Sequence, residues 1–62
     1  MPEIIVYAIE GRTLDQKRAL MKDITAATVK HFNVEAEQVV VQIVESERHN
    51  KAKGGVLFSE RK

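Results

Sequence analysis

Two residues near the start of the chain, Pro2 and Arg12, are of types that act on small anionic molecules. Pro2 follows the initiator Met1, which is normally cut away, so that Pro becomes the free N-terminus. Taken alone this specifies no reaction, because a Pro at the mouth of a strand is ordinary: the first strand residue need not donate to the ladder. Arg12 carries a forked cation that can grip a carboxylate through two hydrogen bonds. It reads equally well as a solvent-facing residue just before a helix. His31 falls near a helix end, where a cation is favourable, and His49 lies in a polar stretch. Neither has the ligand spacing of a metal site. Tyr7 alternates within an apolar run and is most simply core or interface.

The elements that must position these residues are few. The chain has 62 residues and no Cys, which allows one small domain over 1–62 without disulfides or thiolate metal sites. A chain this short buries only about 60% of its unfolded surface and is marginal alone. Its formal charge is +1, with ten basic residues scattered among nine acidic ones. That excludes the one-signed basic stripe of a nucleic-acid binder. One Tyr, two Phe and no Trp make no base-stacking platform. No run approaches the ~20 apolar residues of a membrane span. The apolar start is short and holds Glu3 and Glu10, so no signal peptide is expected, and a soluble, cytoplasmic protein is.

Residues 4–9, IIVYAI, predict a strand buried on both faces. Gly11 breaks it. Thr13-x-x-Gln16 is a capping box, and Asp15 adds a negative charge to the first turn. The helix is predicted from Leu14 to Phe32, with Leu20, Met21, Ile24, Ala27, Thr28 and Phe32 on its apolar face and Lys17 mostly away from it. Asn33 suits a left-handed C-terminal position. A second strand is predicted over 38–45, QVVVQIVE. Strand, long helix and strand make a β-α-β unit with parallel strands and a right-handed crossover. Gly54-Gly55 and the following VLF predict a tight turn and a short strand or hairpin arm. The fold class is thus α/β (α+β). Two strands and one helix leave both sheet edges and one sheet face bare, and further copies of the chain are the simplest cover.

The ordered set of Pro2, a first strand, Glu10-Gly11-Arg12-Thr13, Asp15-Gln16-Lys17, a Val-rich second strand and a late Gly-Gly resembles the 4-oxalocrotonate tautomerase family. The similarity spans essentially the whole chain. It implies removal of Met1 and use of the Pro2 amine as catalytic base. It implies that Arg12 binds a substrate carboxylate across a subunit boundary, and that Ile9 sits where a backbone amide helps to bind substrate. It implies a homohexamer built as a trimer of dimers, a small carboxylate substrate, and no metal or organic cofactor. The chemistry is coherent. A free α-amino group has a reference pKa of about 7.7–8.0, and apolar burial with nearby cations lowers a prolyl amine toward the neutral form that a general base requires.

The chain departs from the family at the site. A second Arg, frequent in family members acting on dicarboxylates, matches Val40 here. The family's aromatic pocket wall matches Lys51, and an apolar residue two positions later matches Lys53. Lys51 can replace the missing charge, with Arg48 next in line, or both can be solvated loop residues. Two functions follow. The first is an isomerase catalysing keto–enol tautomerisation of a small 2-hydroxy-dienoate or 2-keto acid resembling 2-hydroxymuconate. The second is a non-catalytic oligomeric scaffold that has lost an efficient active site.

Overall fold

The computed structural model describes residues 1–61; Lys62, the last residue of the expected domain, lies outside the described residues. The element order is β1 (Glu3–Ile9), α1 (Leu14–Phe32), β2 (Val40–Ser46) and a hairpin of β3 (Ala52–Lys53) with β4 (Val56–Leu57). Short 3-10 turns occupy Ala36–Gln38, Arg48–Asn50 and Phe58–Glu60. β1 and β2 pair in parallel, from Glu3 opposite Val40 to Ile9 opposite Ser46. β3 and β4 are antiparallel, joined by Gly54 (φ +60°) and Gly55 (φ +81°). Two positive φ values in a two-residue turn are what the right-handed twist of a hairpin demands.

The helix follows its sequence signals at both ends. The Gln16 backbone N–H donates to Thr13 Oγ1 (3.1 Å), and the Thr13 N–H donates to Gln16 Oε1 (3.0 Å). Asn33 is left-handed (φ 55°, ψ 50°), and its N–H donates to the Val29 carbonyl. Helix and strands therefore fold largely as read, but three strand ends and the buried face of the helix differ. β2 starts at Val40 rather than Gln38, because Gln38 and Val39 close a 3-10 turn onto Glu35 and Ala36. The first ladder bond is Val40 N–H to the Pro2 carbonyl. Earlier in β2 only Pro2 and Met1 would stand opposite, and Pro2 has no N–H to give.

β1 starts one residue earlier than expected, at Glu3, and β2 runs one residue further, to Ser46. The helix face also differs. Lys17, Met21, Ile24, Thr25, Thr28 and Val29 are the residues shielded by the sheet, whereas Leu20, Ala27 and Phe32 are exposed. Thr25 and Thr28 fit an apolar face because their hydroxyls donate back to the Met21 and Ile24 carbonyls, each at 2.8 Å. Their methyl groups are then the outward chemistry. Lys17 lies on the 17, 21, 24, 28 stripe, and its ammonium pairs with the Glu45 carboxylate on β2.

The subunit has little interior. Among the described residues no apolar side chain is fully buried, and the one buried residue is Thr28, at 9% exposure. The helix covers the Ile4, Val6, Ala8, Val41 and Ile43 face of the sheet. The opposite face carries Ile5 and Tyr7, 45% and 73% exposed, beside Val40.

Candidate active site

Gly11 aims the site. Its φ of +119° lies where side chains are strained, and it reverses the chain between β1 and α1. The capping box then holds Thr13 against the first helical turn. Arg12, between the two, is thereby fixed beside the end of β1. There it lines a cleft of about 270 Å³ with Val6, Ala8, Ile9, Gln16, Lys17, Leu20, Ile43 and Glu45. Most of that lining is apolar.

Three charged groups meet in the cleft. Lys17 and Glu45 form an ion pair with each other. Arg12 has no ion-pair partner among the described residues; the other pair of the subunit is Arg18 with Asp15, on the exposed helix surface. Arg12 is therefore the cation free to meet a carboxylate.

Ile9 contributes backbone. The Pro2 carbonyl accepts from Val40, and the Glu10 N–H donates to the Ser46 carbonyl at 3.0 Å. In a parallel ladder alternate residues bond to the same neighbour, so the even residues of β1 face β2. The N–H of Ile9 consequently points to the open edge of the sheet, next to the Arg12 cleft.

Pro2 is not part of this cleft. Seven residue steps carry the chain along β1 from Pro2 to Ile9, about 23 Å at the ~3.3 Å rise of a parallel strand, and Arg12 lies beyond that far end. Pro2 is half-buried at the other end of the sheet, beside Val40. Lys51 also stands outside the cleft lining. Its carbonyl accepts from the Phe58 N–H at 2.7 Å, and its ammonium sits 6.0 Å from the Phe58 ring centroid. The hairpin region is tied further by His49 Nδ1 and Ser59 Oγ, 2.8 Å apart.

The structure thus brings Ile9 and Arg12 together and leaves Pro2 and Lys51 apart from them within one subunit. Gln16, Lys17, Leu20, Ile43 and Glu45 are cleft residues that the sequence reading did not single out. The 4-3-4 spacing of Lys17 with Met21, Ile24 and Thr28 was the available signal for Lys17.

Comparison with known proteins places the chain in a family. A family model described as tautomerase enzyme matches residues 2–61. A probable tautomerase of Bradyrhizobium diazoefficiens is 52% identical over 61 residues, which cover 98% of this chain and 91% of the relative. The crystal structure of a 4-oxalocrotonate tautomerase homologue superposes with a TM-score of 0.93 at 34% identity, covering 100% of this chain and 98% of the other. A heterohexamer 4-oxalocrotonate tautomerase from Chloroflexus aurantiacus superposes with a TM-score of 0.88 at 27% identity over the full length of both chains. The chain belongs to the tautomerase family of enzymes, among the homologues of 4-oxalocrotonate tautomerase.

Proposed function

We propose that this tautomerase interconverts the enol and keto forms of a small 2-hydroxy-dienoate or 2-keto acid, with the Pro2 amine of one subunit as general base and Arg12 of another as carboxylate clamp. Removal of Met1 exposes the prolyl nitrogen as a secondary amine on a rigid ring. That nitrogen takes the enol O–H proton. The oxygen's electrons close the C=O, the conjugated double bond shifts, and the same proton is returned to a carbon farther along the chain. Atoms and electrons balance without a cofactor. Arg12 holds the carboxylate bidentately and sets positive potential beside the developing enolate. The Ile9 amide, free on the sheet edge, donates to the substrate oxygen. Lys51 adds a cation at the rim that disfavours protonation of Pro2.

The observation that carries this reading is the unpaired Arg12 in an apolar cleft beside a free backbone edge, in a chain whose family match runs from residue 2 to residue 61. The homologous heterohexamer supports assembly into a hexamer. Here the proposal is a homohexamer of three dimers. Tautomerase assays with phenylenolpyruvate and 2-hydroxymuconate test the function, on protein whose intact mass confirms Pro2 as first residue. Rapid ketonisation is expected. Rates equal to those in buffer with a free Pro2 amine leave the scaffold reading standing instead.

A further inference from the structure

Resting on that reading of the site, we infer that the substrate is a monocarboxylate with an apolar tail, and that Glu45 enforces this by neutralising Lys17 inside the Arg12 cleft. Within the Arg12 cleft, the one other cation of the lining is already engaged. Lys17 lines the cleft beside Arg12, but its ammonium is taken by the Glu45 carboxylate, and both side chains are about two-thirds shielded from solvent. Two positive groups and one negative group leave the cleft one net positive charge. A single carboxylate balances that charge on Arg12. A second carboxylate would meet Glu45 in the same cleft, and like charges that are partly desolvated repel strongly.

The other candidates, Lys51 and Arg48, do not line the Arg12 cleft. Lys51 has its ammonium over the Phe58 ring, outside the cleft lining. Beside Pro2 stands Val40, which extends apolar surface and offers no charge. The cleft walls are Val6, Ala8, Ile9, Leu20 and Ile43. An aryl or alkyl tail gains from such walls, whereas a terminal carboxylate must leave water to enter them.

The test compares kcat/KM for phenylenolpyruvate, a monoacid, with that for 2-hydroxymuconate, a diacid, on protein beginning at Pro2. The unmodified protein is expected to favour the monoacid. Glu45→Gln keeps the shape and releases the Lys17 ammonium, and should raise the diacid-to-monoacid ratio about tenfold, chiefly through KM. The double variant Lys17→Met with Glu45→Gln should lose that gain, which a merely structural role for the pair does not predict. A diacid preference in the unmodified protein overturns the inference. So does an active Glu45→Gln protein whose ratio is unchanged. Because the first comparison needs no variant, the inference remains falsifiable if Glu45→Gln fails to fold. Activity on neither substrate is a separate outcome: it overturns the proposed function itself, and this inference falls with it.

Discussion

At the scale of single residues, the proposed Pro2 base depends on what precedes it. An amide has no useful basicity, so protein that retains Met1 should show no catalysed ketonisation, and aminopeptidase removal of Met1 should restore it. Activity that is indifferent to Met1 would exclude Pro2 as base. Arg12→Ala removes a charge-assisted carboxylate contact worth ~2–4 kcal/mol, so kcat/KM on an acidic enol should fall roughly 30- to 1,000-fold. Unchanged kinetics would remove Arg12 from the site. For Lys51 the sign follows from charge: its ammonium disfavours protonation of a neighbouring amine. Lys51→Ala should therefore raise the acid-limb pKa of the rate profile and slow turnover near that limb. An unchanged profile makes it a solvated residue resting on Phe58. Pro2 and Arg12 stand out in the sequence because each sits in a short ordered pattern, Pro2 behind Met1 and Arg12 in Glu10-Gly11-Arg12-Thr13. The Lys17–Glu45 pair does not, because its partners lie 28 positions apart in sequence and meet only through the β-α-β crossover.

At the scale of elements, α1 was legible to its end residues because its stop and start signals are local. Thr13, Gln16 and Asn33 each act within a turn of their own position. The packing face was harder to read. A two-stranded sheet covers only a narrow stripe of the helix, so Phe32 is left exposed and Leu20 only edges the cleft beside β1. Threonines whose hydroxyls are satisfied locally take their place. The cap also serves the site, since it fixes the residue directly after Arg12. Thr13→Ala leaves the Gln16 N–H without its side-chain acceptor and should cost about 1 kcal/mol, read as a lower Tm. It should also loosen Arg12 and raise KM for acidic substrates. Thr13→Ser, which restores the hydroxyl, should recover both. A Tm loss with unchanged KM would show that the cap serves the helix alone.

At the scale of the whole molecule, the subunit is visibly incomplete in two independent ways. Its sheet shows Ile5 and Tyr7 on a bare face, and among the described residues it buries no apolar side chain fully. Its proposed base, Pro2, stands about 23 Å by strand rise from Ile9, beyond which the proposed clamp Arg12 lies. Hydrophobic burial favours partner copies, and a site built from Pro2 and Arg12 as proposed would need them too. The need for partners could be read from chain length and the strand count, whereas their geometry could not, because it depends on surfaces that no local pattern describes.

The two deficits are separable by experiment. Sedimentation at micromolar concentration should show an oligomer, and a stable monomer would refute the assembly. Subunit mixing tests the shared site. Pro2→Ala protein keeps a sound Arg12, and Arg12→Ala protein keeps a sound Pro2; each homo-oligomer should be nearly inactive. If every site draws its base from one subunit and its clamp from another, co-refolding equal amounts should regenerate intact sites. Random assortment makes that about a quarter of all sites. A site confined to one subunit permits no such rescue at any mixing ratio. Recovered activity should vanish again when Tyr7→Asp, which places a charge on the bare sheet face, is introduced into both partners. If activity instead survives in that dissociated form, the base and clamp do not come from different subunits, and the 23 Å separation along β1 must be bridged by some other residue.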